Sequence, residues 1–150
     1  MVDTLIVDDT PETRIVLSLL VEHAGGRVLG AVGSAREALL WLEAQSVDLV
    51  LTDFQMPGMS GDVLAAKIRE AWPATRVALI SVLDDAALFA KSRAAGVDWL
   101  LAKPVLLETL EQVLRGAALH RSRAAARGTT VCDAGRPALE PGNANRGPLV

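Results

Sequence analysis

In Val47-Asp48-Leu49-Val50-Leu51-Thr52-Asp53-Phe54-Gln55-Met56-Pro57-Gly58-Met59-Ser60-Gly61 an apolar run stops at an acid and gives way to a turn. Val47 to Thr52 is nearly continuous in Val and Leu, the pattern of a strand covered on both faces. Asp53 closes it, Met56-Pro57-Gly58 carries loop chemistry, and a segment of helical period follows from about Asp62 to Trp72. A strand buried on both sides needs helices above and below it and strands beside it. The rest of the chain must supply both.

It does so by repeating the pattern. Upstream, Thr4-Leu5-Ile6-Val7 ends at the pair Asp8-Asp9, and a helix follows from Thr10-Pro11 to Gly25-Gly26. There Thr10 is placed to accept from an orphan amide, and Pro11 at the first helical position sacrifices nothing by lacking an N–H. Val28 to Val32 is the next strand, and Ser34-Ala35-Arg36-Glu37 is a capping box that opens a helix with Leu39 and Leu42 turned inward. Downstream, Val77-Ala78-Leu79-Ile80 ends at Ser81, and a helix follows from about Asp84 to Ala95, its acidic pair Asp84-Asp85 suited to a helix N-terminus. Val97 to Ala102 ends at Lys103-Pro104, before a last helix from about Leu106 to His120. Five βα units with right-handed crossovers predict an α/β fold, a doubly wound five-stranded parallel sheet with flanking helices. This domain spans residues 1–122. From 123 to 150 the chain mixes Ala, Gly, Pro, Asn and Arg without apolar periodicity, which predicts a flexible C-terminal tail.

Composition narrows the function. A chain of 150 residues holds one sizeable core, and a net charge of -3 gives no footprint for nucleic acid or an anionic membrane. The lone Cys132 forms no internal disulfide, and no uncharged apolar run approaches the roughly 18 residues of a membrane span. The expectation is a cytoplasmic protein without nucleic-acid or membrane partners, a monomer or weak homodimer. His23 and His120 read as helix-surface or helix-end residues, and Trp41, Trp72 and Trp99 as packing. Gly58 and Gly61 read as serving turn geometry.

The chemistry is in the residues that end the strands. Asp8, Asp9, Asp53, Ser81 and Lys103 each follow an apolar run, and in a parallel sheet those ends share one edge, where ligands bind. Three carboxylates so placed repel one another, and a hard divalent cation relieves the repulsion. Magnesium suits a site of few carboxylates plus phosphate oxygens. Lysine brings a compact positive charge, and the Ser81 hydroxyl a donor, for phosphoryl oxygens. A carboxylate nucleophile, a cation and a lysine make a site for phosphoryl transfer to aspartate.

At Asp8-Asp9, the block Asp53 to Gly61, Ser81 and Lys103-Pro104 the chain resembles the response-regulator receiver family of two-component and phosphorelay systems, over about residues 1 to 120. The resemblance implies a flavodoxin-like sheet in the order 2-1-3-4-5 with five helices. It implies Asp53 as phosphoacceptor and as metal ligand, Asp9 ligating Mg2+ directly, Asp8 through water, and the backbone carbonyl of Gln55 completing the set. Ser81 and Lys103 would bind phosphoryl oxygens, and the Lys103-Pro104 bond would be cis. The donor would be a sensor histidine kinase or a histidine phosphotransfer protein. A target protein would read the face formed by the fourth helix, fifth strand and fifth helix, with Ser81 and Leu100 as the switch. Two positions depart from the family pattern: Leu100 stands where the family has Tyr or Phe, and Val82 where it often has Ala. The protein would be a single-turnover switch with slow self-dephosphorylation rather than a substrate-processing enzyme. An aspartyl-phosphate hydrolase or phosphotransferase is the alternative, but its second carboxylate two residues after the nucleophile is missing: Gln55 stands there. A degenerate receiver acting only as an interaction module is the third reading, and the intact acidic, hydroxyl and lysine set argues against it.

Overall fold

The computed structural model describes the backbone of residues 1–82 and 86–134 and the side chains of 1–82 and 87–122. The Asp84-Asp85 helix start, the side chain of Cys132 and residues 135–150 of the expected tail lie outside the described residues.

The elements alternate as β1 (Asp3–Val7), α1 (Pro11–His23), β2 (Arg27–Val32), α2 (Ala35–Ala44), β3 (Leu49–Asp53), α3 (Gly61–Ala71), β4 (Arg76–Ser81), α4 (Ala86–Ala94), β5 (Trp99–Ala102) and α5 (Leu107–Ala134). The strands form one sheet in the order β2-β1-β3-β4-β5, and all four pairings are parallel. This is the doubly wound parallel sheet that the strand pattern predicts, in the flavodoxin-like order that the family resemblance implies.

Burial follows from position in the sheet. All five residues of β3, the central strand, are buried, whereas β2 at the edge has none fully buried. Side chains alternate across each strand, so the apolar runs feed two cores at once. Ile6, Leu49, Leu51, Ala78 and Ile80 pack with Leu17 and Val21 of α1 and Leu110, Val113 and Leu114 of α5. Leu5, Val7, Val50 and Val77 pack on the other face with Ala38 and Leu42 of α2 and Leu64, Ala65 and Ile68 of α3. Successive residues of β5 part in the same way: Trp99 joins the α1/α5 core, while Leu100 faces a cleft between α3 and α4 beside Phe89 and Arg93.

The helix ends show which local signals were sufficient. Ser34 Oγ accepts from the Glu37 N–H at 3.2 Å, and the Glu37 carboxylate lies 3.3 Å from the same hydroxyl, so the capping box forms around the Ser34 side chain. α1 ends as the glycine pair predicts, with the Gly26 N–H donating to the Val21 carbonyl at 2.9 Å and the Gly25 N–H to Glu22 at 3.2 Å. Thr10 differs from expectation. Its side chain caps nothing; its backbone N–H instead donates to Asp8 Oδ1 at 2.8 Å, an Asx turn that ties the helix start to the end of β1.

The last helix is longer than its apolar period. Met1–Ala118 form one compact unit, and the backbone of α5 continues to Ala134, past the His120 at which its apolar period ends. The run Arg121-Ser122-Arg123-Ala124-Ala125-Ala126-Arg127 accounts for the extension as far as Arg127. Lacking apolar period, it still consists mostly of strong helix formers, and propensity extends a helix that is already nucleated.

Candidate functional site

β1, β3 and β4 are in register at their C-terminal ends: Val7 pairs with Thr52, and Asp53 with Ile80. Asp8 and Asp53 therefore leave adjacent strands at the same height. Asp8 is 1% exposed and Asp53 6%, while Asp9, one residue further out, is exposed. One carboxylate oxygen from each of Asp8, Asp9 and Asp53 lies within 4.8 Å of the others. Lys103, half-buried beyond the end of β5, sets its Nζ 3.0 Å from Asp53 Oδ1 and 3.8 Å from Asp8 Oδ2. The Lys103-Pro104 peptide is cis. Ser81, buried at the end of β4, is joined to this group through its carbonyl, which accepts the Lys103 N–H at 3.0 Å.

Gln55 is exposed in the loop after β3, and Leu100 lies outside the cluster, on the α3/α4 side of β5. Val82 is exposed at the rim, beside Lys103 and the first turn of α1.

The electrostatics are those of a site short of positive charge. Burial pushes the Asp53 carboxyl above its ordinary value; the hydrogen bond and charge of Lys103 oppose this, and the Asp8 and Asp9 charges reinforce it. The net direction is upward, because the loss of hydration on burial outweighs what Lys103 contributes. Asp8 shows the same deficit: its Oδ1 is satisfied by the Thr10 amide, but Oδ2 is buried with no hydrogen bond, and Lys103 at 3.8 Å is too far to supply one. A carboxylate oxygen buried in that state is costly unless a cation meets it. Three carboxylate oxygens gathered within 4.8 Å of one another, one of them buried without a hydrogen bond, are a donor set that fits a hard divalent ion.

A second charged group beside the site was not legible in the sequence. Asp62, in the first turn of α3, is only 4% exposed, accepts a hydrogen bond from Ser60 Oγ and pairs with Lys91 of α4 at 3.3 Å. The same lysine stands 5.8 Å from the centre of the Phe54 ring, next to Asp53. An acid at a helix start reads as a solvated helix-end charge, and nothing local reveals that α4 covers it. Burial works against ionisation of Asp62, but the bonds from Ser60 and Lys91 and the lysine's charge together outweigh it, and the carboxyl titrates below the ordinary value of 3.8. A depressed acid contributes stability that is fully present above the ordinary carboxylate range and is lost as pH falls through the depressed value. Asp62→Asn is therefore expected to lower the urea midpoint at pH 7, with the gap to wild type closing only below about pH 4. A gap that closes near neutrality would contradict this pairing.

A parallel α/β sheet with acids, hydroxyl and lysine gathered at its strand ends defines an α/β protein of the receiver class. The chain belongs to the response regulator receiver domain family, whose model matches residues 4–115. It is 36% identical over 120 residues to the virulence sensor protein BvgS of Bordetella pertussis, covering 75% of this chain and 10% of that one. It is 34% identical over 119 residues to the transcriptional activator protein ExaE of Pseudomonas putida, covering 76% of this chain and 56% of that one. The signal receiver domain of the response regulator NarL from Mycobacterium tuberculosis superposes with a TM-score of 0.73 at 30% identity, covering 78% of this chain and 96% of that domain. The chain thus spans between a tenth and just over half of the curated relatives named here. Among the described residues, no helix is long and apolar enough to cross a membrane.

Proposed function

We propose that Asp53 accepts a phosphoryl group from the phosphohistidine of a sensor histidine kinase or a histidine phosphotransfer protein, and that the acyl phosphate so formed switches a protein-binding face. The observation that carries this reading is the Asp53 carboxylate, 3.0 Å from the Lys103 ammonium and gathered with Asp8 and Asp9 at one sheet edge. Asp8, Asp9, Asp53 and the Gln55 carbonyl would hold Mg2+, which when bound supplies charge neutralisation for the entering phosphoryl oxygens. Asp53 Oδ attacks phosphorus, the P–N bond to the donor imidazole breaks, and its electron pair stays on the imidazole nitrogen. Lys103 turns from Asp53 to a phosphoryl oxygen, and the Ser81 hydroxyl donates to another. Water later attacks phosphorus and releases inorganic phosphate, so Asp53 is restored and each cycle is one switching event. Asp53 is followed two residues on by Gln55, which offers no acid or base for fast turnover. The test is intact-mass analysis after incubation with a small phosphodonor. One phosphoryl increment is expected with Mg2+ and none with excess chelator; labelling that ignores the chelator would exclude the metal.

Metal and lysine have separable roles in this reading. Asp9→Ala removes one of few anionic ligands and is expected to weaken Mg2+ binding by on the order of ten-fold or more. Lys103→Ala removes a positive charge facing the ion, so Mg2+ affinity is expected to hold or rise while the response to phosphorylation is lost. Equal loss of Mg2+ affinity in both variants, measured by Trp fluorescence or amide shifts, would contradict this division.

Readout is assigned to the face formed by α4, β5 and α5, with Ser81 and Leu100 as the moving parts. Leu100 is half-buried, lines a cleft with Phe89 and lacks the ring that the family places there, so its inward movement buries less surface. A difference of roughly 50 Å² at about 25 cal/mol per Å² is close to 1 kcal/mol, several-fold in a switch ratio. Leu100→Phe is therefore expected to enlarge the phosphorylation-dependent amide shifts on α4, β5 and α5. Shifts concentrated on α1, or unaltered by the substitution, would remove Leu100 from the readout.

A further inference from the structure

We propose that Arg14 is a positioning residue for the metal site: it holds the peptide between Asp8 and Asp9 so that both carboxylates meet one divalent cation. This rests on the metal reading above. Arg14, on the first turns of α1, reaches back so that its Nη1 donates to the Asp8 carbonyl at 2.6 Å. The Asp8 N–H donates to the Val32 carbonyl at 3.0 Å, and Asp8 Oδ1 accepts the Thr10 N–H at 2.8 Å. Every polar atom of Asp8 is thus hydrogen-bonded to a fixed group except the buried Oδ2, whose nearest cation is Lys103 at 3.8 Å.

The consequence falls on Asp9. Its carboxylate is exposed and, among the described residues, no protein group hydrogen-bonds it. Its direction is therefore set by the backbone that carries it. The Asp8 carbonyl and the Asp9 N–H belong to one planar peptide unit, so a grip on the carbonyl fixes the plane from which Asp9 projects. The guanidinium has room for this because Gly33, just past β2, has no side chain: a Cβ there would sit 3.2 Å from Nη1.

Charge alone argues against an arginine here, since it repels the ion that the acids attract. That opposition gives the test its sign. Mg2+ is titrated into the full chain and followed by backbone amide shifts, for wild type, Arg14→Gln and Arg14→Lys. If Arg14 acts only through its charge, Arg14→Gln binds Mg2+ more tightly. If it positions the acidic pair, Arg14→Gln binds roughly ten-fold more weakly, as for other groups that orient metal ligands, and the Asp9 amide resonance moves even without metal. Arg14→Lys, with charge retained and the planar fork lost, is expected between the two. Affinity unchanged or tighter in a folded Arg14→Gln overturns the proposal. Should Arg14→Gln fail to fold, Arg14→Lys decides: weaker binding at equal charge supports positioning, and wild-type binding overturns it. A wild-type protein without Mg2+ response overturns the metal reading, and this inference with it, which separates that failure from a failure of Arg14 alone.

Discussion

Asp53→Asn is expected to abolish phosphoryl gain from a small phosphodonor, a loss on the order of 10³-fold or more in labelling rate, as when a covalent nucleophile is deleted. The amide keeps the size of the side chain but has no anionic oxygen to attack phosphorus, and it turns two donors toward a place built for a cation. The same substitution should change stability in the opposite sense. Burial and the neighbouring acids raise the Asp53 carboxyl despite Lys103, so folding favours its neutral form. For such a raised acid the destabilisation is absent below the ordinary carboxylate value and complete above the raised one. At pH 7 without metal, Asp53→Asn should therefore unfold at higher urea than wild type, with the gap closing as pH falls toward 4. Added Mg2+ should stabilise wild type more than the variant, because the ion binds the folded site and the variant has lost one of the anionic ligands there. A variant still labelled, or less stable than wild type at pH 7 without metal, would contradict the assignment.

Gly61→Ala is the substitution expected to damage the fold most for its size. A Cβ at Gly61 would lie 2.3 Å from the Asp53 carbonyl oxygen and 2.6 Å from Leu79 Cδ1. The first is backbone, and Leu79 is fully buried, so neither can move cheaply. The Gly61 N–H donates to the Phe54 carbonyl at 2.8 Å, which clamps the start of α3 onto the end of β3. Adding a methyl must pry the helix from the strand that carries the phosphoacceptor. A loss of about 3 kcal/mol is expected, after crediting Ala with up to about 1 kcal/mol of helix propensity. Gly58 is the control, because it has φ +83 and nothing within 4 Å of an added Cβ. Gly58→Ala should cost only the left-handed penalty, about 1–2 kcal/mol. Urea unfolding compares the two, and Gly61→Ala no worse than Gly58→Ala would contradict the close approach.

This pair of glycines marks a boundary of sequence reading. Both read from the sequence as turn residues. That holds for Gly58, but Gly61 has no positive φ; it is required by an approach between α3 and β3 that no local pattern reports. Asp62 and Arg14 are of the same kind. An acid in a first helical turn and an arginine on an amphipathic helix look solvated until α4 covers one and the Asp8 carbonyl meets the other. Thr10 has the residue type of a side-chain cap, but the Asp8 carboxylate takes its amide instead. α5 outruns its apolar period, and helix propensity supports the extension as far as Arg127.

The alternation of strands and helices, the parallel sheet and the residues that end the strands are legible in the amino acids alone. Those signals are local: an apolar run buried on both faces must stop where a polar side chain replaces it, and that stop marks a position on the sheet edge. The distances come from packing: that Asp53 lies 3.0 Å from Lys103, that Asp8 Oδ2 is left without a hydrogen bond, and that Lys91 bridges Asp62 and Phe54. Such distances depend on strand order, register and helix packing, which sum contacts over the whole chain. The excess of buried negative charge at the sheet edge emerges only there, because three acids on two separate strands repel one another strongly only once the sheet has brought them together and excluded water.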